Sequence, residues 1–501
     1  MPSEPVWPTQ RGSVFFADAA DSSRLSRAVA TGEIRRLARG IYTADLTGDP
    51  DELIQRNRWR TVTHFAPDAL IADRSATVAG RLTDAVLFVV SNVRSEAVEL
   101  PGLIIIPRRG AGPLSDDPPW AEGLHVTSLA RAMVDNLAIS RKRGRWPART
   151  LNRREYEDWV ARLAQQHTVD QLNHIRDRAK EIATEFGHPE RVEVIDEIVG
   201  AGLGTRQGRA AGRLLVARQR GLDWDPGRIE LFTEVARELP EAIRRLDVLE
   251  SLPAAADELE SSLPFYEAYF SNFIEGTEFT IDEAERIVND GTIPENRPED
   301  AHDVLGTYRL VAEPADRAYV AGAPDEFLDQ LRRWHVLIME GRPAKRPGAW
   351  KQIANQAGSY TFVAPERVEG TLVESFALLK ALDLPLARAL YLMLLVSEVH
   401  PFDDGNGRLA RAVMNAALSA ADETRILVPI VWRNEYLTAL RQLSRERRID
   451  LYVRTLGFAR QWTSRIVWSD PTVTRAQLEV TNALVDSSEA VRSGRQLILP
   501  T

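Results

Sequence analysis

A chain of 501 residues is too long for one hydrophobic core, so two or three domains are expected. Its 44% apolar and 27% charged residues are the balance of a soluble globular protein, and a net charge of -9 argues against a chain devoted as a whole to nucleic acid. With no cysteine it has no disulfide, no thiolate nucleophile and no thiolate metal site, which fits a reducing cytosol.

The opening MPSEPVWPTQ lacks the charged-then-apolar pattern of a signal peptide, and LIIIP (103–107) is far too short to span a bilayer. The expectation is a cytoplasmic protein with no membrane partner. SRLSRAVATGEIRRLARGIYTA (23–44) reads as a short helix, a turn at Gly32 and a basic segment ending in a strand, a helix-turn-helix with a wing. VLFVVSNV (86–93) and GLIIIP (102–107) have the apolar, β-branched character of buried strands, and HVTSLARAMVDNLA (125–138) that of an amphipathic helix. Residues 1–140 are therefore expected to form a small α/β domain. A boundary follows at RKRGRWPARTLNRR (141–154), with seven basic residues and no acid.

Residues 155–255 read as a helical connector. Within it TRQGRAAGRLLVARQR (205–220) would place Arg206, Arg209, Arg213 and Arg220 on one helix face. Residues 256–465 read as a helix-rich domain with one exception. GAWKQIANQAGSYTFVAPERVEG (348–370) predicts a β-hairpin, QIAN and YTFVA flanking a Gly358-Ser359 turn. The tail, 466–501, is polar and modestly helical and is expected to be loosely ordered.

The densest chemistry lies in HPFDDGNGRLAR (400–411), between the apolar helices LARALYLMLLVSEV (386–399) and RLARAVMNAALSAA (408–421). Gly405, Asn406 and Gly407 can adopt φ > 0 and turn successive N–H groups inward as an anion nest, to which the following helix adds its dipole. Arg408 and Arg411, at i and i+3, supply two forks for phosphate oxygens. Asp404 could hold a Mg²⁺ that neutralises a polyphosphate, and His400 could take a proton from an incoming hydroxyl. Any one of these features alone fits a capped helix–loop–helix with solvated side chains. Their conjunction does not.

All of HPFDDGNGRLAR resembles the signature of the Fic family, His-Pro-Phe-x-acid-Gly-Asn-Gly-Arg-x-x-Arg. The resemblance implies an all-helical core with a β-hairpin flap, and transfer of AMP from ATP, with Mg²⁺, to a Ser, Thr or Tyr hydroxyl of a target protein. It implies that His400 deprotonates the target hydroxyl, Asp404 binds Mg²⁺, the nest holds the α- and β-phosphates, and Arg408 and Arg411 hold the β- and γ-phosphates. Asp403 fills a variable position without a role. Gly407, where phosphate-transferring members carry Lys, favours AMP transfer. Upstream, YFSNFIEGTEFTIDEAE (269–285) resembles the family's inhibitory helix, with Ser271, Glu275 and Gly276 at the matching positions, which implies that Glu275 denies Arg411 to the γ-phosphate. The hairpin resembles the target-binding flap, with Ser359, Tyr360, Thr361, Phe362 and Val363 offered for strand pairing. RNEYLTAL (433–440) resembles the helix beside the nucleotide base, which Tyr436 would line.

The N-terminal segment resembles AbiEi-type antitoxins and transcriptional regulators, ending in Arg36, Leu37, Arg39, Gly40 and Tyr42. This implies DNA contacts by Arg24, Arg27, Arg35, Arg36 and Arg39. The fold class expected is thus mainly α, an all-helical Fic core preceded by a helical connector and a small winged-helix-containing α/β domain. Two alternatives to forward AMP transfer stay open: a DNA-binding regulator gated by nucleotide, and removal of AMP from a modified protein. The partners expected are a hydroxyl-bearing protein, DNA through the N-terminal module, and a second copy of the chain in a homodimer.

Overall fold

In the computed structural model the described residues are 12–17, 22–78, 85–142, 144–206, 210–248, 250–254 and 262–500. The backbone divides into two units, Met1–Gln219 and Arg220–Thr501.

The first unit begins with a three-stranded sheet in the order Phe15–Phe16, Ile41–Thr43, Arg35–Ala38, against which the helix Ser22–Ala30 lays Leu25 and Ala28. A five-stranded mixed sheet follows in the order Val98–Leu100, Leu103–Arg108, Val86–Val90, Leu70–Ile71, His125–Val126. Val86–Val90 is buried along its whole length, as its unbroken apolar run requires of a central strand. Beside the sheet, Asp73 is fully buried at φ 56 and accepts hydrogen bonds from Arg108 at 2.8 Å and Arg149 at 2.7 Å. The helices Arg153–Gln166 and Val169–Glu185 both open with capping boxes, Asn152 with Glu155 and Thr168 with Gln171.

The expected arginine face over 205–220 does not form. The helix there is Arg213–Gln219, so Arg206 and Arg220 lie outside it, and Arg209 lies outside the described residues. Its start is fixed from another helix: Glu157 accepts from the N–H groups of Ala211 and Gly212, and Asp158 from that of Leu214 at 2.7 Å. Arg206 pairs with Asp196 at 2.6 Å instead.

Among its described residues the second unit is helical apart from one short hairpin, as the mainly-α reading expected. At its centre Pro385–Val399 packs against Asn406–Ser419 and Pro226–Arg245. Pro226–Arg245 buries Leu231, Phe232, Val235 and Leu239 in this core, so the connector expected over 155–255 is divided between the units. The tail is a further correction. It forms the helices Pro471–Val480 and Ser487–Ser493, and buries Leu478, Ala483, Ala490 and Leu497 in a cluster with Tyr266, Phe270, Trp462 and Trp468. Aromatic surface on the helix Leu263–Ile274 needs a cover, and the tail's sparse apolar residues provide it. Among the described residues no helix is long and apolar enough to cross a membrane.

Leu263–Ile274 is also pinned by a buried ion pair. Glu267 accepts from Arg425 at 2.6 Å and from Asn415 at 2.8 Å, all three side chains being withdrawn from water. Breaking such a pair from one side leaves an uncompensated charge. Arg425→Met is expected to cost about 3–5 kcal/mol in chemical unfolding, and Arg425→Met/Glu267→Gln to recover most of that loss.

Candidate functional site

The loop between the two central helices is held by its own residues. Pro385–Val399 ends at His400, which takes the left-handed conformation at φ 50, ψ 60, a backbone state that costs a non-glycine residue of order 1 kcal/mol and recurs at functional sites. Asn406 clamps the loop from both sides, its Oδ1 accepting from Phe402 N–H and its Nδ2 donating to Phe402 C=O, each at 2.9 Å. Phe402 is buried and stacked on the His335 imidazole at 3.8 Å between centroids. Gly348 N–H donates to His335 Nδ1 at 2.9 Å, so the ring carries its proton on Nε2 and donates it to Asp404 C=O at 3.0 Å. Asp403, read in the sequence as having no role, receives both arms of Arg346 at 2.7–3.0 Å. Lys351 Nζ donates to Val399 C=O at 3.2 Å, and burial beside Arg228 pushes this amine down to about 8.

The three-residue nest is not formed. Of Gly405, Asn406 and Gly407 only Gly405 has positive φ, 72°, while Asn406 and Gly407 already belong to the first turn of the helix Asn406–Ser419. In place of the expected nest stands a helix N-terminus behind a single left-handed residue, a geometry that favours anions.

Around it the sequence-predicted residues converge. Arg411, buried, donates from Nη2 to Glu275 Oε1 at 2.7 Å and to Ser271 C=O at 2.8 Å, and from Nε to Ser271 Oγ at 3.0 Å. The Glu275 carboxylate lies over the helix N-terminus itself: a Cβ built on Gly407 would sit 2.1 Å from Glu275 Oε1, so the side chain here must be absent. Glu275 is delivered by a Schellman motif that closes Leu263–Ile274, with Gly276 at φ 93, its N–H on Phe273 C=O, and Thr277 N–H on Asn272 C=O.

Arg408 is equally buried, but points elsewhere. It pairs with Asp303 at 2.7 Å and reaches Asn272 Oδ1 at 3.3 Å, partners that no spacing in the sequence announced. Tyr436 corrects another expectation. It is 1% exposed, and Arg411 Nη1 donates to its hydroxyl at 3.5 Å, so it backs the guanidinium from inside the core and does not line an open base pocket.

His400 directs Nδ1 to Ser397 C=O at 3.3 Å, which leaves the lone pair of Nε2 available as a base. Burial pushes its pKa from the usual 6.5 down to about 4, so it is neutral at pH 7. The Phe362 ring stacks on it at 4.0 Å. Phe362 follows the flap, which forms around the expected turn but with other strands: Gln356–Ala357, wholly beyond the expected QIAN, and Tyr360–Thr361, only the first part of YTFVA, joined through Gly358 at φ 63 and Ser359, with Val363 buried in the core. The flap is tethered, Tyr360 donating to Glu398 at 2.6 Å and Arg228 to Thr361 C=O at 2.9 Å.

The donor set for a metal is one carboxylate. Among the described residues no group of three or more His, Cys, Asp or Glu forms a cage. Asp404 is 41% exposed and accepts the N–H of Gly405 at 2.7 Å, which fits a Mg²⁺ that arrives with phosphates and needs only one or two carboxylates from the protein. In the first unit Arg24, Arg27, Arg36 and Arg39 are exposed, whereas Arg35 is half-buried with its guanidinium on Gly48 C=O.

Residues 326–418 match the model of the Fic/DOC family. The chain is 26% identical over 242 residues to Protein adenylyltransferase fic-1 of Caenorhabditis elegans, covering 44% of this chain and 47% of that protein. It is 25% identical over 238 residues to Protein adenylyltransferase Fic of Nematostella vectensis, covering 46% and 54%. The chain thus spans about half the length of these curated relatives. Among solved structures, Fic-1 (residues 134–508) from C. elegans is similar at 16% identity and a TM-score of 0.35, over 65% of this chain and 97% of that one.

Both site histidines are pushed down to about 4 by burial, below the 6.5 of a free imidazole. Because the folded pKa lies below the unfolded one, the neutral rings' share of the stability is whole above 6.5 and is lost as pH falls toward 4. Histidine NMR titration of the native chain is expected to show His335 and His400 still neutral at pH 5.5. A ring of either residue protonating near 6.5 contradicts the burial.

Proposed function

Taking as premise that this is a Fic family protein, we propose that it is an autoinhibited protein adenylyltransferase, moving AMP from ATP to a hydroxyl of a target protein. The observation that carries the reading is the Glu275 carboxylate seated over Gly407 and bound to Arg411 at 2.7 Å. A protein carboxylate there stands where a phosphate would go.

With Glu275 displaced, the N–H groups at the start of Asn406–Ser419 and the freed arm of Arg411 accept phosphate oxygens. Asp404 would hold Mg²⁺, which when bound supplies charge neutralisation on the phosphates. His400 Nε2 takes the proton of the target hydroxyl; the oxygen bonds to the α-phosphorus, the bond from that phosphorus to the bridging oxygen breaks, and pyrophosphate leaves. A neutral imidazole at pH 7 is in the right protonation state for this, and general-base assistance contributes about 10²–10⁴-fold. Phe362, stacked on His400, covers the base until a target strand aligns on the flap. Arg408 serves this reading differently from its sequence assignment. Held by Asp303 and Asn272, it braces the helix carrying Glu275 against the phosphate helix, and reaches a nucleotide only if Asp303 yields it.

The native chain is expected to incorporate little label from α-labelled ATP with Mg²⁺, and Glu275→Gly to incorporate at least about tenfold more, since one charged hydrogen bond is worth about 1.5–3 kcal/mol. Adding His400→Ala to Glu275→Gly should abolish the gain; equal labelling by the two variants rejects His400 as the base.

A second reading adds to the first. The exposed Arg24, Arg27, Arg36 and Arg39 on a helix and an adjoining hairpin support DNA binding by the first unit. Gel shifts on the gene's own upstream region at rising salt test it: binding should exceed that to random DNA, and weaken when Arg36 and Arg39 become Ala.

A further inference from the structure

Two helices of the second unit and the segment that follows a third line a cavity of about 740 Å³ that touches no residue of HPFDDGNGRLAR. Its walls are the segment after Pro226–Arg245, one face of Arg433–Glu446 and one face of Ile449–Thr463. The volume is that of a small-molecule site. Its apolar floor is the Trp432 and Phe458 rings, 5.1 Å apart, with Val248 alongside. Gly457 makes room for that side chain, since a Cβ there would lie 2.8 Å from Val248 Cγ1.

The rim carries charge of both signs. Arg454, Glu435 and Asp247 are all exposed, and among the described residues their side chains form no ion pair with each other or with any neighbour. Ionic groups left unmatched around an aromatic floor are the complement of a ligand that has a flat apolar body and both charges. We propose that this cavity is a second small-molecule site that takes an aromatic zwitterion of the amino-acid kind, its ring on Trp432 and Phe458, its carboxylate on Arg454 and its ammonium on Glu435.

The site has a short route to the inhibitory pair, and this regulatory half rests on the function proposed above. The helix Arg433–Glu446 lends Asn434, Glu435 and Thr438 to the cavity. From its other side Arg433 Nε donates to Ile274 C=O at 2.9 Å, the residue before Glu275, and Tyr436 backs Arg411. One helix therefore touches the cavity, the end of the helix that delivers Glu275, and the arginine that Glu275 holds. A ligand that draws Glu435 toward its ammonium shifts the N-terminus of this helix, loosens the Arg433 contact and favours release of Glu275. The effect is limited to the ligand's differential affinity for the two states.

Calorimetry on the full-length chain without ATP tests the site, using L-tryptophan, tryptamine (no carboxylate) and indole-3-acetate (no ammonium). L-Tryptophan is expected to bind once per chain and tightest of the three, and to weaken by at least about tenfold in Arg454→Glu and in Glu435→Lys, the size of a lost charged hydrogen bond. Tryptamine, with no carboxylate to lose, should not weaken in Arg454→Glu. Absence of saturable binding by all three, or binding that neither variant alters, overturns the site. Labelling with α-labelled ATP then tests the coupling: L-tryptophan should raise incorporation by the native chain, but not by Glu275→Gly or Arg433→Ala. If Glu275→Gly labels strongly and L-tryptophan binds yet leaves native labelling unchanged, the coupling fails. If Glu275→Gly does not label at all, the adenylyltransferase reading fails while the binding result stands.

Discussion

A buried guanidinium must be matched, and Arg411 is matched by several partners at once. Glu275, the hydroxyl and carbonyl of Ser271 and the hydroxyl of Tyr436 all address it. Removing a charged group from solvent without partners costs several kcal/mol, so an anion has to be present. Glu275 is that anion. Were it withdrawn, the guanidinium would be left with a demand that only another anion of similar charge meets. Under the proposed function, inhibition and phosphate binding are two ways of meeting that one electrostatic requirement.

The same logic explains why the neighbouring arginine behaves differently. Arg408 is as deeply buried, but its carboxylate, Asp303, sits on Pro298–Ala312 and is itself withdrawn from water and shared with Arg342. Glu275 is about one-third exposed, at the capped end of its helix. Arg411 is therefore paired with a carboxylate that water reaches, and Arg408 with one that it does not. The histidines divide in the same way. Burial lowers both rings to about 4, yet His335 uses both nitrogens to tie the loop together, while His400 uses one and keeps the other. The two rings thus differ in the count of unspent lone pairs, none on His335 and one on His400.

Much of the site was legible because it is local in sequence. HPFDDGNGRLAR contains its own punctuation: an apolar helix, a proline, a left-handed glycine and a second helix. Short-range physics is enough to place His400, Asp404 and the helix N-terminus. The Glu275–Gly276 end was legible for the same reason, since a helix with aromatic residues at three- and four-residue spacing and a glycine stop announces where it ends. The misreadings were made where the deciding contact is remote. Arg213–Gln219 starts late because carboxylates some 55 positions earlier cap it, and the polar tail is ordered because aromatic residues 200 positions earlier needed cover.

The chain's own order of residues thus determined the helical character of the second unit, the loop's chemistry and the sign of every charge in it, all of which follow from neighbours a few bonds away. The folded structure alone decided who holds whom: Glu275 on Arg411 across 136 positions, Asp303 on Arg408, His335 beneath Phe402, Tyr436 turned inward, and an aromatic-floored cavity between two helices and the segment after a third. Pairings of that kind are settled by burial, which makes every hidden charge find a partner wherever the chain supplies one, and burial is a property of the packed molecule that no local pattern encodes.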